Sequence, residues 1–181
     1  MKLFERKGKI NTLEAVASAV KRAKELGIKH VVVASNTGET AKLLLDSGLN
    51  IVCVTHQVGF HQPGEDEMGQ ETREFLKKNG VKVLTTTHLF AGVDRALRFK
   101  FQGIYPAEII ASTLRMFGQG VKVCVEVAVM ALDAGMIPYG EEIVAIGGTG
   151  SGADAAIVLT PAHSAYIFDT KIKEIICMPR V

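Results

Sequence analysis

The sequence predicts an α/β fold with a mostly parallel sheet and at least one antiparallel strand. Short apolar runs of β type alternate with helical patterns between residues 12 and 84, a rhythm that implies parallel strands joined by right-handed crossovers. After residue 141 the character changes: four β-like runs follow with little room for helices between them, so at least one must pair antiparallel. At 181 residues and 48% hydrophobic, the chain can bury one substantial core, and it reads as a single domain over residues 1–181.

Asn11 or Thr12 followed by Glu14, with Leu13, Val16, Ala17, Val20 and Leu26 at helical spacing, predicts a capped amphipathic helix that stops at Gly27. His30 to Ala34 is a β-branched run of the kind buried on both faces of a parallel sheet. A helix from Thr37 to Ser47, closed by Gly48, leads to a second such strand at Ile51 to Thr55. The longer loop "HQVGFHQPGEDEMG" (56–69) precedes a helix ending at "KKNG", and Val81 to Leu84 forms a third strand. Three helical patterns follow: about 89–101, 106–117 opening on Pro106, and about 120–134 ending at Gly135. The last is apolar almost all round and is expected to be a covered, central helix. The closing β-like runs are Glu142 to Ile146, Ala155 to Thr160, Ala165 to Phe168 and Ile172 to Cys177.

Composition narrows the partners. Lys and Arg number 21 against 19 Asp and Glu, scattered rather than striped, which argues against nucleic acid. Cys53, Cys124 and Cys177 are odd in number, far apart and each in an apolar run, so buried reduced thiols are expected rather than disulfides or a zinc site. The charged start "MKLFERKGKINTLEA" shows no export signal, and the apolar segment from Val121 to Ile137 is interrupted by Lys122, Glu126 and Asp133 and falls short of a membrane span. A soluble, cytoplasmic protein is expected.

Two turns attract attention as ligand sites. In "VVVASNTGETAKLLL" (31–45) the strand runs into Ser35, Asn36, Thr37, Gly38 and Thr40 just where a helix should begin. A helix N-terminus exposes unpaired N–H groups and partial positive charge, so such a turn suits phosphate, although the same residues are ordinary helix caps. The second turn, "AIGGTGSGADAAIVL" (145–159), resists a dinucleotide-fold reading, because only Ala153 to Ala156 separate Gly152 from the next β-like run and no helix fits there. Gly148, Thr149, Gly150, Ser151 and Gly152 instead form a strand-to-strand loop able to fold round an anion, or a plain glycine-rich hairpin. In an open parallel sheet, ligands sit beyond the carboxyl ends of the strands where the order reverses. If the strands at 30–34 and 142–146 are neighbours, both turns meet there, with His56, Phe60, His61, Thr87, His88 and Phe90 brought toward the same mouth.

No Ser-His-Asp or metal-ligand spacing is visible in the histidines, so the catalytic residues stay unassigned and no metal site is expected. Phe60 and Phe90 suit either a flat ligand ring or the core. The acidic "GEDEMG" reads as a solvated loop.

The segments "VVVASNTGETAKLLL", "GQGVKVCVEVAVMALDAG" and "GEEIVAIGGTGSGADAAIVLTPA" resemble the C-terminal α/β domain of pyruvate kinase, and more closely the free-standing proteins built from that domain alone. The resemblance covers roughly residues 12–170. It implies a three-layer fold on a five-stranded, mostly parallel sheet. In the kinases this domain carries an effector site rather than chemistry, with a Ser/Thr-rich turn holding a phosphate. Carried over, the phosphate turn is Ser35, Asn36, Thr37, Gly38 and Thr40, with Glu39 standing where the kinases often place a basic residue. The kinase's catalytic barrel has no counterpart in these residues, so pyruvate kinase activity is not expected. The free-standing relatives imply a phosphorylated ligand, with flavin mononucleotide (FMN) the candidate.

Together these readings give an expected site of Ser35, Asn36, Thr37, Gly38, Thr40, Thr87, His88, Phe90, Gly148, Thr149, Gly150, Ser151 and Gly152. Three functions follow as expectations. One is a binding protein for a phosphorylated small molecule. Another is a flavin- or nucleotide-dependent enzyme using His88 or His56 for a proton. The third is a metabolite-sensing regulatory subunit that forms a homo-oligomer through the apolar helical segment from Ile109 to Met136.

Overall fold

Runs of β-branched and small apolar residues build the centre of the sheet, because side chains on both faces must be buried there. A computed structural model describes residues 1–180. Its strands are β1 (Lys2–Phe4), β2 (His30–Ala34), β3 (Asn50–Val54), β4 (Lys82–Leu84), β5 (Ile143–Gly147), β6 (Ala155–Thr160) and β7 (Lys171–Pro179). They form one seven-stranded sheet in the order β1-β7-β6-β5-β2-β3-β4. All neighbours pair parallel except at β6, which runs antiparallel to both β5 and β7.

Helices cover both faces. On one lie α1 (Thr12–Glu25), α2 (Glu39–Lys42) and α3 (Gln70–Lys78), whose Ala15, Val16, Ala19, Ala41 and Leu76, with Leu44 just after α2, pack on Val31, Val33, Val144 and Ile146. On the other lies α6 (Gln119–Asp133), packed on Val32, Val52, Ala145 and Ile157. Two further helices, α4 (Gly92–Phe101) and α5 (Pro106–Arg115), stand outside α6. Twelve of the fifteen α6 residues are buried, as its nearly continuous apolar sequence leads one to expect.

The sheet has seven strands rather than five. The additional edge strand β1 is a three-residue piece beside the end of β7, with Leu3 opposite Met178. Two further elements depart from the sequence reading. Ala165 to Phe168 lies in a 3₁₀ turn (Ser164–Asp169), with Tyr166 and Phe168 exposed; Asp133 accepts the Ser164 N–H at 3.2 Å and holds its start. The helix expected from Thr37 to Ser47 is a single α-turn followed by a 3₁₀ turn (Leu45–Ser47). Its bonds tighten from Lys42 N–H to Gly38 C=O into the three-residue steps Leu43 to Thr40 and Leu44 to Ala41, so the chain returns quickly to β3.

The α1 cap also differs. The Thr12 hydroxyl donates to Lys9 C=O at 2.7 Å and accepts the Ala153 N–H at 3.0 Å, tying the helix start to the loop after β5 instead of capping its own turn. The three cysteines are free and buried as expected, and burial pushes the thiols of Cys53 and Cys177 up to about 12 and about 11. None of the helices among the described residues is long and apolar enough to cross a membrane.

Candidate functional site

Strands β2 and β5 are parallel neighbours, so the carboxyl edge of the sheet has its switch point between them, and both turns singled out from the sequence lie at that edge. Each is shaped largely by its own contacts. The Ser35 hydroxyl accepts the Thr40 and Ala41 N–H groups at 3.2 and 3.4 Å, occupying part of the donor set of the short α2. Gly38 adopts a left-handed conformation against Thr72, Leu76 and Met68 of the α3 side. The N–H groups of Asn36, Thr37 and Gly38 make no hydrogen bond among the described residues, and Thr37 is exposed.

The Gly148–Gly152 loop turns toward the N-terminal segment. Gly152, at φ +71°, lies so close to Thr12 that an added Cβ would stand 2.3 Å from its hydroxyl. Asp154, fully buried at the loop's end, accepts the Gly8 N–H at 2.7 Å through Oδ2, while its Oδ1 has no partner among the described residues.

The large concavity lies on the α6 side of the same edge. It is a cleft of about 780 Å³, within the range typical of small-molecule sites. Its floor is α6, through Lys122, Glu126 and Met130; its inner rim is formed by Asn36 after β2, His56 and Phe60 after β3, and His88 and Phe90 after β4. The outer wall is α4 and α5 with the turn between them, contributing Arg95, Arg98, Ile104, Glu108 and Arg115. Of the residues expected from the sequence, Asn36, His88 and Phe90 therefore reach the cleft. Ser35, Thr37, Gly38, Thr40, Thr87 and Gly148 to Gly152 do not line it, although the two turns flank the switch point beside it.

Rings gather at the inner rim. His56 stacks on Phe60 at 3.8 Å between centroids with 26° between planes, and His88 lies 5.2 Å from His56 and 5.3 Å from Phe60. Arg95 places its guanidinium 5.5 Å from the Phe60 centroid, a cation–π distance. Phe90 is buried, with the Lys122 ammonium 5.4 Å from its ring centre.

The floor carries a buried ion pair, Lys122 with Glu126 one turn later, and Glu126 Oε1 also accepts the Phe90 N–H at 3.0 Å. Burial holds the Lys122 ammonium below the usual lysine range, against the raising effect of Glu126. Burial likewise lowers the His88 pKa, against the pull of Glu126, so His88 is neutral near pH 7. A neutral imidazole, a buried ammonium and the Arg95 guanidinium can orient and neutralise an anionic ligand, while Arg98 is paired with Glu108 and Arg115 donates to Gln119. There is no nucleophile-base-acid triad in this geometry among the described residues.

Arg95, Lys122, Glu126 and Arg115 were not singled out as site residues from the sequence. The signal available was Lys122 and Glu126, two charges four apart on one face of an otherwise apolar helix. Charged residues are almost never fully buried unless they are paired.

Residues 14–159 match the family model for the pyruvate kinase alpha/beta domain. Among solved structures, one pyruvate kinase from Cryptosporidium parvum aligns with 79% of this chain at 19% identity and a TM-score of 0.40, over 22% of its own length. A second Cryptosporidium parvum pyruvate kinase structure aligns with 93% of this chain at 17% identity and a TM-score of 0.38, over 23% of its length. The chain thus spans less than a quarter of either kinase.

Proposed function

Since the chain belongs to the pyruvate kinase alpha/beta domain family, we propose that it is a binding protein for a phosphorylated small molecule with a flat ring, with FMN the candidate ligand. The α6-side cleft is the observation that carries this reading. Its volume suits a mononucleotide, its inner rim offers the His56, Phe60 and His88 rings for stacking, and Arg95 and Arg115 supply positive charge. At the edge of the same cleft, Asn36 begins a turn whose successive N–H groups are free to donate to a phosphate. The ring then lies over the His56–Phe60 stack, and the phosphate reaches the Asn36–Gly38 turn or the arginines of the outer wall.

The neutral His88 imidazole at the rim suits a hydrogen bond to the bound ligand. The test is titration of FMN into protein freed of small molecules, followed by flavin fluorescence, together with mass analysis of whatever copurifies. One-to-one saturation, weakened at least about tenfold by Arg95→Ala and by Thr37→Asp, is the expected result. Unchanged fluorescence at saturating FMN, with no phosphorylated molecule recovered on native purification, overturns it.

A further inference from the structure

The loop from His56 to Met68 carries a cluster that shares His56 with the inner rim of the cleft and adds two side chains, His61 and Glu67, that do not line it. His56 Nδ1 lies 2.6 Å from Glu67 Oε1, and His61 Nε2 lies 3.6 Å from Glu67 Oε2. The three potential ligand atoms all lie within 4.8 Å of one another. Zinc binds imidazole nitrogen and carboxylate oxygen at about 2.0–2.2 Å in a tetrahedral array, which sets its ligand atoms about 3.3 Å apart. The two separations, each to a different Glu67 oxygen, fall on either side of that value.

Residues near the loop prepare this arrangement. The Gly59 N–H bonds to Glu65 C=O at 2.8 Å and the Glu65 N–H to Gln62 C=O at 3.0 Å, folding residues 59–65 back on themselves. Buried Met68 anchors the far end of the loop in the core below α3. Asp66 is engaged elsewhere, its Oδ1 accepting the Met68 N–H at 3.1 Å and its Oδ2 bound to Arg73 at 2.6 Å. Arg73 in turn reaches Thr85, which hydrogen-bonds Thr55 beside His56. The loop is thus pinned at both ends, and Phe60 fixes the plane of the His56 ring. Glu67 is left as the one carboxylate facing both imidazoles.

We propose that His56, His61 and Glu67 form a binding site for a divalent transition metal, zinc in the first place, at the rim of the cleft. Two neutral imidazoles and one carboxylate suit zinc, copper, nickel or cobalt rather than magnesium or calcium, which prefer all-oxygen sets. Zinc at His56 Nδ1 takes the place of the His56–Glu67 hydrogen bond, with the neutral ring carrying its one proton on Nε2, and three protein ligands leave a fourth position for water or another donor.

The test uses the metal alone, with no flavin or phosphate present, so its outcome is independent of the proposed ligand. After chelator treatment and dialysis, the intact chain is titrated with zinc by calorimetry. One zinc per chain is expected, with affinity reduced more than about a hundredfold in His61→Ala and in Glu67→Gln. His163→Ala, which removes the imidazole paired with Asp133, leaves the affinity unchanged. In parallel, cobalt added to the unsubstituted chain should give the visible absorption of a tetrahedral site, a readout that does not depend on how any variant folds. Absence of stoichiometric zinc binding, or equal affinity in parent, His61→Ala and Glu67→Gln, overturns the proposal, as does a cobalt spectrum like that of the free aquo ion.

Discussion

The floor and the outer wall of the cleft are both helical, and they are built in opposite ways. α6 presses apolar side chains into the sheet along nearly its whole length, whereas every residue of α4 is exposed or only partly covered. Val93, Phe99 and Phe101 stand 74, 68 and 64% exposed. Where a helix is locked by burial on several sides, a new atom or a lost partner has no room to relax; where it lies on the surface, a substitution is absorbed by solvent. A binding cleft between two such helices has one fixed side and one adaptable side.

The sharpest way to break that contrast is to remove one half of the floor's ion pair. Lys122→Met leaves Glu126 buried without its partner and should cost about 4 kcal/mol, measured by chemical denaturation. Adding Glu126→Leu to it removes the unpaired charge and should recover most of that loss. A double variant as unstable as the single would mean that the pair does more than satisfy itself.

A smaller effect comes from the close approach of α6 to β5. A Cβ on Gly147 would stand 2.5 Å from Gly120 C=O and 3.0 Å from the Cys124 N–H group's nitrogen, so Gly147→Ala must push the helix off the sheet. A loss of about 2–3 kcal/mol is expected, and an unchanged denaturation midpoint would show that the floor yields more easily than its burial suggests.

The third prediction concerns pH. Burial lowers the His88 pKa in the folded chain, so on acidification the unfolded chain takes up this proton before the folded one does. The fold therefore loses stability as pH falls below about 6.5, the unperturbed histidine value. His88→Gln should flatten the part of the stability profile below about pH 6.5 that this residue causes. An identical profile in parent and variant would place the acid sensitivity elsewhere.

On the wall the smallest change is expected. Val93→Ser and Phe99→Ser should each shift stability by less than about 0.5 kcal/mol. A loss several times larger would show that α4 is held by its apolar face after all.

The same contrast explains what could be seen in the sequence. Strands β2, β3, β5 and β6 and the floor helix announce themselves because burial on two faces demands unbroken apolar runs; the adjacency of β2 and β5 is only a condition in the sequence, which the sheet meets. β1 does not, since three residues at an edge need only one buried side chain, Phe4. Ala165 to Phe168 mimics a strand because alternation alone cannot tell a paired run from an exposed turn. Of the site, Asn36, His88 and Phe90 reach the cleft because they follow directly on strand ends. The hydroxyls of Ser35 and Thr12 look like ligand groups in the sequence, yet the fold engages them with its own backbone. Arg95 escaped notice because one arginine on a polar helix face has no local signature. His56 and His61 are expected at the mouth, but their convergence with Glu67 is not legible, because the spacing fits no helix or strand and only the folded loop brings the three together.

The pairing of β2 with β5 also sets a schedule. Val31 must wait for Val144, so during synthesis at roughly 5–20 residues per second the inner edge of β2 is unsatisfied for roughly 6 to 23 s after it leaves the ribosome. β3 and β4 can join it on the other side in that time, but the half-sheet they make keeps one long apolar edge open. The slow step in making this protein is thus the arrival of its middle strand, and a nascent chain stalled before residue 143 is the form most exposed to aggregation.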